Sequence, residues 1–189
     1  MEQVSVDKYK NKIITIPNIL SFFRILLIPV IVWLYLGKQD YLLAGIFVLI
    51  SGLTDIVDGF IARTFHMISD VGKVLDPVAD KSTQAVVLLL LATRFPLMFI
   101  PIGCILLKEV FMAITGYMII RRCNVVLGAD WYGKAATVAI TTTMALHLFW
   151  LNIDPIVSLV SIILSTVMIL LALALYAKRN LEYLLKKDN

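Results

Sequence analysis

Charged residues are scarce in this 189-residue chain: Asp, Glu, Lys and Arg make up 16% of it, while 60% of its residues are hydrophobic. A soluble domain is about 25% charged and about 45–50% apolar. Because so short a soluble chain could not bury this much apolar surface, the composition excludes an ordinary water-soluble domain and makes lipid the expected solvent. We therefore predict an integral membrane protein with one domain over residues 1–189.

Cysteine and histidine are nearly absent too. Cys104 and Cys123 match no metal-binding or redox spacing, and we interpret both as apolar filler. We expect solvation for His66, on a loop, and packing for His147, near the outer end of a span. The sequence also lacks internal repeats, a transporter-type inverted repeat and basic stretches interleaved with aromatic residues, so nucleic-acid binding is not expected. A polar N-terminus before a full-length apolar run predicts no cleavable signal peptide.

The sequence does contain six apolar runs of about 20 residues, the length that a helix needs to cross a bilayer. They cover residues 16–36, 41–63, 72–94, 97–121, 133–151 and 155–176. Before them, Val6, Tyr9 and Ile13 recur at helical spacing between lysines, which predicts a short amphipathic helix on the membrane surface within residues 1–15. The predicted fold is all-α, with a six-helix membrane bundle over residues 16–177 and a basic cytoplasmic tail over 178–189.

Lysine and arginine fall unevenly on the two sides of these six runs. One side holds only Lys38 and Arg94, and nearly all the others lie at the two termini and in the two longer loops. The positive-inside rule places both termini in the cytoplasm and predicts a multi-pass protein of the cell membrane. The same excess of positive charge favours contact with anionic lipid.

Carboxylates stand out against this apolar background between residues 54 and 80. At about 100° per residue they fall on one stripe of the second run and one stripe of the third. The first stripe holds Asp55, Asp58, Gly59, Ala62 and Arg63, and the second holds Gly72, Asp76 and Asp80. The two stripes can face each other if these neighbouring runs are antiparallel helices. Asp70 lies off both stripes, on the connecting loop, where we expect it to be solvated.

Four ionised carboxylates at membrane depth are costly unless they are paired or solvated. The cations nearby, Arg63, Lys73 and Lys81, are too few to neutralise four acids and to explain their geometry. Hard oxygen ligands suit Mg²⁺ or Mn²⁺. Four of them can hold two ions, as in enzymes that displace groups at phosphorus. The predicted metal ligands are Asp55, Asp58, Asp76 and Asp80.

Small residues line the same two stripes as the acids. Gly59, Ala62 and Gly72 leave room where a bulky ligand could approach the backbone, although they could equally serve close helix packing. Arg63 ends the first stripe on the cytoplasmic side, where a planar guanidinium can grip a phosphate group.

This pattern of acids, glycines, alanine and arginine, at these spacings, resembles the signature of the CDP-alcohol phosphotransferase family. The resemblance implies transfer of a substituted phosphoryl group from a CDP-linked donor, CDP-diacylglycerol in the membrane-lipid members, to an alcohol, with release of CMP. It implies that Asp55, Asp58 and Asp76 bind metal and that Asp80 completes the site or acts as general base. Gly59, Ala62 and Arg63 would hold the cytidine and pyrophosphate, with Gly72 beside them. The family's frequent homodimers make a homodimer the expectation.

The first apolar run, "IPNILSFFRILLIPV", resembles the corresponding span of bacterial phosphatidylglycerophosphate synthases and the related cardiolipin synthases. Asn18, Ser21 and Arg24 recur at offsets 0, 3 and 6, loosely on one helical face. We expect them to contact the donor. For Arg24 the alternative is a side chain that snorkels to the interface.

Candidate acceptor contacts lie on the fourth run. Lys108, Thr115 and Arg122 share one face at seven-residue spacing and could form a polar path for an anionic acceptor. Lys108 could instead pair with Glu109, to which we assign no role.

A fourth acceptor candidate, Lys134, lies in "GKAATVAI", which partly matches the pattern G-K-x-K-T-x-x-Q of the glycerophosphate-using enzymes. Ala136 and Ile140 stand where that pattern has Lys and Gln. The best acceptor is glycerol 3-phosphate, which gives phosphatidylglycerophosphate, while phosphatidylglycerol, as in cardiolipin synthesis, and other alcohols stay open. The non-enzyme alternative, an ion or proton pathway, would spread acids along a route through the membrane, whereas these cluster.

Overall fold

The computed structural model describes residues 15–65, 67, 69, 71–123, 125, 127–128 and 130–185, so the predicted surface helix, His66 and Asp70 lie outside it. Within these residues all repetitive structure is helical, which confirms the all-α prediction. The long helices are α1 (Ile16–Val32), α2 (Tyr41–Thr64), α3 (Gly72–Arg94), α4 (Phe99–Cys123), α5 (Trp131–Phe149) and α6 (Pro155–Leu185). Each contains most of one predicted apolar run.

Local capping sets the first boundaries. The Thr15 side chain accepts a hydrogen bond from the Asn18 backbone N–H at 3.4 Å, and Pro17 lies in the first turn, where its missing N–H costs nothing. The chain leaves α1 through a π-helical turn, Trp33–Gly37. The Asp40 carboxylate then caps α2 by accepting from the Leu43 N–H at 3.0 Å.

Four helical segments are long and apolar enough to cross a membrane, namely Ile16–Gly37, Tyr41–Thr64, Pro96–Arg122 and Pro155–Leu185. Helices α3 and α5 do not meet the same test. The first ten residues of α3 include two lysines and two aspartates, and α5 is less apolar because it contains Lys134, His147 and several threonines. Many large apolar side chains point outward from the helices, as suits a protein surrounded by lipid. The chain is therefore a helical membrane protein.

The helices form two compact units, one ending at Leu90 and the other beginning at Leu91. In the first unit, residues near the start of α1 bond to residues near the end of α2, so these two helices run antiparallel. In the second unit, α6 packs against both α4 and α5. Ile140 of α5 and Ile162 and Ile169 of α6 are among its buried side chains.

Helix α6 continues well beyond the predicted end of the last apolar run, from residue 176 to Leu185. It therefore enters the segment predicted as a basic tail. Polar contacts account for the extension: the buried Asn180 amide donates to Thr115 Oγ1 at 2.8 Å, and Arg179 donates to Asp130 at 2.6 Å. Apolar periodicity alone does not reveal a helical end that is held by polar side chains.

Candidate active site

One face of α1 is polar and buried. Asn18, Ser21 and Arg24 are 5%, 0% and 1% exposed, respectively, and Leu27 and Ile31 continue the same face with apolar side chains. Residues three or four apart lie on one side of a helix. The three polar residues that sequence analysis grouped therefore face the interior of the first unit, and Arg24 does not snorkel to the surface.

Arg24 joins two aspartates of α2. Its Nη1 donates to Asp55, and its Nη2 donates to Asp58 Oδ2 at 2.9 Å. The Asp58 side chain is 3% exposed, whereas that of Asp55 is 44% exposed. Asp55 and Asp58 lie three residues apart, so one planar guanidinium can reach both. This brings two of the four predicted metal ligands together around a cation supplied by the chain itself.

Ser21 connects the acids of α2 to those of α3. Its hydroxyl contacts Asp58 Oδ2 at 3.3 Å and Asp76, and lies 3.0 Å from the Pro17 carbonyl oxygen. A hydroxyl has one hydrogen to donate. Three acceptors therefore compete for a single proton, so this part of the site has more acceptors than donors and favours an added cation.

The start of α3 is fixed by a residue that sequence analysis overlooked. Ser69 Oγ accepts from the Gly72 N–H at 3.0 Å and from the Asn18 amide at 2.9 Å. A Cβ atom added at Gly72 would lie 2.6 Å from Asn18 Oδ1 and 3.1 Å from Ser69 Oγ. Gly72 therefore serves close packing against Asn18. The signal for Ser69 in the sequence was a serine shortly before the helix, since serine hydroxyls often bond to nearby backbone groups.

The other predicted donor contacts lie toward the end of α2. Ala62 is half-buried, and the Arg63 side chain is exposed in the last turn. A Cβ atom at Gly59 would meet only the Arg63 guanidinium, at 3.6 Å, which is ordinary contact. A methyl group at Gly59 would therefore fit without displacing a neighbour. Asp80 of α3 is exposed to solvent as well.

The acids are the kind of ligand that a hard cation prefers, although their side chains do not surround a single point in this structure. Among the residues described, no three His, Cys, Asp or Glu side chains stand close enough together to hold one metal ion. The donor set is nonetheless all carboxylate oxygen, with an excess of acceptors around Ser21. Such a set fits a divalent cation of the Mg²⁺ or Mn²⁺ type.

The predicted acceptor residues make different kinds of contact. Lys108 pairs with Glu109 at 3.0 Å, the alternative considered for it. Thr115 is buried, donates to the Phe111 carbonyl at 2.8 Å and accepts from Asn180. Arg122 and Lys134 are exposed. Thr115 thus has a packing role between α4 and α6, whereas Arg122 and Lys134 are accessible to a ligand.

A second polar cluster, also overlooked from sequence, joins the start of α5 to the end of α6. The Asp130 carboxylate accepts from the Tyr132 hydroxyl and from Arg179 Nη1. The Tyr132 hydrogen bond, with Arg179 adding to it, lowers the pKa of Asp130. The Asp130 N–H donates to the Tyr176 hydroxyl at 3.1 Å. A Cβ atom at Gly133 would lie 3.0 Å from the Tyr176 ring, so Gly133 makes room for that ring.

His147 has the packing role expected of it. Its side chain is 1% exposed and contacts the Thr143 carbonyl through Nδ1 and Ser158 Oγ through Nε2, each at 2.8 Å. Because a carbonyl only accepts, Nδ1 carries the hydrogen and Nε2 accepts from the serine. The Nε2 contact joins α5 to α6, whereas the Nδ1 contact holds the ring against α5 itself.

Most of the chain matches one known protein family. The family model described as CDP-alcohol phosphatidyltransferase matches residues 14–178, which include every residue of the acid cluster. The chain belongs to the CDP-alcohol phosphatidyltransferase family. The resemblance seen in the aspartate pattern is therefore confirmed, and with it the prediction of a transferase of phospholipid biosynthesis.

Individual relatives within the CDP-alcohol phosphatidyltransferase family fall into two groups. A CDP-diacylglycerol–glycerol-3-phosphate 3-phosphatidyltransferase of Aquifex aeolicus is 30% identical over 182 residues, covering 91% of this chain and 99% of that protein. A CMP-forming cardiolipin synthase of Rattus norvegicus is 36% identical over 132 residues, 69% of this chain and 39% of that protein. A cardiolipin synthase/hydrolase fusion protein of Schizosaccharomyces pombe is 45% identical over 86 residues, 45% of this chain but 14% of the fusion. The match thus spans much less than two thirds of the last two relatives.

Proposed function

We propose that this protein transfers a phosphatidyl group from CDP-diacylglycerol to an alcohol and releases CMP, in a reaction that depends on divalent cations. The observation that carries the proposal is the cluster in which the buried Arg24 and Ser21 join Asp55, Asp58 and Asp76. A cluster of acids confined to one region, with an exposed arginine nearby, suits a phosphoryl-transfer site better than an ion pathway, which needs polar groups along its whole length.

The predicted cation ligands are Asp55, Asp58, Asp76 and Asp80. Bound there, two Mg²⁺ or Mn²⁺ ions would neutralise the pyrophosphate and the charge on the transferring phosphorus. Arg63, exposed at the end of α2, would grip a phosphate of the donor, and Gly59 would let the nucleotide approach the backbone. Ala62 lies between them on the same face.

Proton transfer is assigned to Asp80. As the acceptor oxygen bonds to phosphorus, the bond from phosphorus to the CMP oxygen breaks, and the acceptor hydroxyl proton passes to the Asp80 carboxylate. CMP leaves with the electron pair of the broken bond. The exposure of Asp80 supports this role, because the acceptor must reach it from outside the buried part of the cluster.

Glycerol 3-phosphate is the acceptor we favour, and the product would be phosphatidylglycerophosphate. The support is the Aquifex aeolicus relative, which carries that acceptor in its name and aligns over 99% of its length. The exposed Arg122 and Lys134 supply positive charge for an anionic acceptor.

Phosphatidylglycerol, the acceptor in cardiolipin synthesis, is a second candidate on the strength of one structural observation. Ala136 and Ile140, which replace the Lys and Gln of the glycerophosphate pattern, are each 2% exposed within the second unit. These positions therefore offer no polar group to the doubly charged phosphate of glycerol 3-phosphate, whereas the phosphodiester of phosphatidylglycerol carries one charge. The two cardiolipin-synthase relatives also have the higher identities, 36% and 45%.

We further propose six spans, with α3 and α5 among them, and with both termini and the active site on the cytoplasmic side of the cell membrane. The uneven distribution of lysine and arginine supports this orientation. Polar residues of α3 belong to the acid cluster of the first unit, and polar residues of α5 make helix contacts in the second unit. Spans with such polar residues would be shielded from lipid. The single-domain organisation and the homodimer belong to the same proposal.

One assay separates these possibilities. Purified protein is given CDP-diacylglycerol, Mg²⁺ or Mn²⁺, and either glycerol 3-phosphate, phosphatidylglycerol or a neutral polyol, and CMP release is followed. We expect CMP with glycerol 3-phosphate and none after chelation of the metal. Release with phosphatidylglycerol alone would establish the second candidate, and folded protein that releases no CMP with any acceptor would overturn the transferase proposal.

A further inference from the structure

Arg24 occupies the position in the acid cluster that a cation should take. Its guanidinium is 1% exposed and donates to Asp55 and to Asp58 Oδ2, two of the four proposed metal ligands. A buried charge is stable only when it is paired. In the arrangement described, Arg24 therefore neutralises Asp55 and Asp58.

The pairing is incomplete on the arginine side. Among the described residues, Arg24 Nε is buried without a hydrogen-bond partner, while Nη2 also reaches Ser21 Oγ at 3.4 Å. A guanidinium has five N–H donors, and a buried donor left unpaired is costly. Arg24 thus lacks the full set of partners expected of a permanent structural ion pair, which leaves it a donor for a further anionic group.

We propose that Arg24 is an internal counter-ion of Asp55 and Asp58 and that it gives up these two carboxylates when divalent cations bind. The released guanidinium then faces the negatively charged pyrophosphate of the donor. Arg24 would in this way couple cation binding to donor binding, so that each tightens the other. This inference rests on the proposed function, since it takes Asp55 and Asp58 as cation ligands.

Two opposite effects of Arg24→Met follow. Without nucleotide, Arg24→Met should bind Mn²⁺ at least about tenfold more tightly than the unchanged protein. In the variant, Mn²⁺ does not have to displace a guanidinium from Asp55 and Asp58. With CDP present, the unchanged protein should gain Mn²⁺ affinity, whereas Arg24→Met should gain less, because the arginine that links the two ligands is gone.

The test is a Mn²⁺ titration of purified protein in detergent, read by the electron paramagnetic resonance of free Mn²⁺, with and without CDP. Lys38→Met is the matched control: it removes one positive charge from the same unit, where Lys38 lies over the Trp33 ring at 4.6 Å. Its Mn²⁺ affinity should equal that of the unchanged protein. Helical circular dichroism confirms that each variant is folded.

Each outcome decides a separate point. If the unchanged protein binds no Mn²⁺, the metal site of the proposed function fails, and the inference fails with it. If it binds Mn²⁺ but folded Arg24→Met binds equally or more weakly, the metal site stands and the counter-ion role is overturned. If Arg24→Met does not fold, Arg24→Gln decides: its neutral amide can still donate a hydrogen bond but removes the positive charge, so Mn²⁺ binding at least about threefold tighter supports the proposal. Unchanged or weaker binding by Arg24→Gln overturns it.

Discussion

At the scale of single residues, the acid cluster contains two glycines with different reasons for being glycine. Gly72 has Asn18 and Ser69 pressed against it, whereas Gly59 faces the flexible end of Arg63. Sequence alone places both on the acid stripes and cannot separate them. The difference matters because a side chain would fit at Gly59 but not at Gly72.

Alanine at these two positions should have opposite effects on stability. Gly72→Ala should destabilise the fold by about 1–3 kcal/mol, because its methyl group forces Asn18 and Ser69 apart. Gly59→Ala should leave stability unchanged or raise it by up to about 1 kcal/mol, since alanine is the better helix former. Yet Gly59→Ala should weaken CDP binding. Thermal unfolding in detergent and CDP titration measure the two effects, and a Gly59→Ala protein with normal CDP affinity would argue against nucleotide contact there.

The proposed base gives a second residue-scale prediction. Asp80→Asn should lower kcat by about 100-fold or more, because the amide cannot accept the hydroxyl proton, while CDP binding stays largely intact. Asp154→Asn is the matched control, an acid whose carboxylate caps α6 through the Ile156 N–H at 2.8 Å. Near-normal turnover by Asp80→Asn would remove Asp80 from the role of base.

At the scale of helices, α6 holds the second unit together through polar contacts near its end. Asn180 reaches α4 through Thr115, and Arg179 and Tyr176 reach the loop before α5 through Asp130. These contacts explain why α6 extends beyond the end of its apolar run. They also indicate a structural role for Thr115, which can be tested against its predicted role in binding the acceptor alcohol.

Thr115→Val should destabilise the protein by about 1–3 kcal/mol, because the buried Asn180 amide loses its acceptor. The KM for the acceptor should not change. Thr142→Val is the control, since exposed Thr142 bonds only within its own helix, to the Val138 carbonyl at 2.8 Å. A raised acceptor KM with unchanged thermal stability would instead place Thr115 in the acceptor site.

Asp130 should make the α5–α6 connection sensitive to acid. Its pKa lies below the ordinary value of 3.8, chiefly because the Tyr132 hydroxyl donates to the carboxylate. A lowered pKa in the folded state means that the carboxylate stabilises the fold above that ordinary value and ceases to do so as pH falls through the folded-state pKa. Asp130→Asn should therefore be less stable than the unchanged protein near pH 6, and the gap should narrow toward about pH 3.

The measurement is thermal unfolding of both proteins across this pH range. In a Tyr132→Phe background the gap near pH 6 should shrink, because the main hydrogen bond to the carboxylate is already lost. A gap that is constant with pH would show that Asp130 acts through packing alone.

At the scale of the whole molecule, the proposed membrane orientation predicts which loops can be labelled from outside the cell. The proposed orientation puts Gln39 and Asn152, which lie in short loops between predicted spans, on the outer side. After Cys104→Ala and Cys123→Ala, single cysteines at Gln39→Cys and Asn152→Cys should react with a membrane-impermeant maleimide in intact cells, and a terminal cysteine should not. The reverse labelling pattern would invert the orientation.

The positions of the helices could be predicted from the lengths of the apolar runs. The bounds of α3, for example, agree with the predicted run 72–94. Sequence analysis also grouped Asn18, Ser21 and Arg24 on one face of α1 and Asp55 with Asp58 on one face of α2, because helical spacing is a local property. It did not predict that Arg24 pairs with Asp55 and Asp58, or that Ser69 holds Asn18. Such contacts join residues 31 to 51 positions apart, and they depend on how the helices pack.

Arg24 also bears on how the protein is made. Its aspartate partners follow it by 31 and 34 residues, so α1 leaves the ribosome with an unpaired arginine. An arginine near the centre of a span disfavours insertion by about 2.5–3.5 kcal/mol. We therefore expect α1 to insert poorly when the growing chain stops before Asp55 and to enter the bilayer together with α2, as a hairpin whose two halves neutralise each other during synthesis.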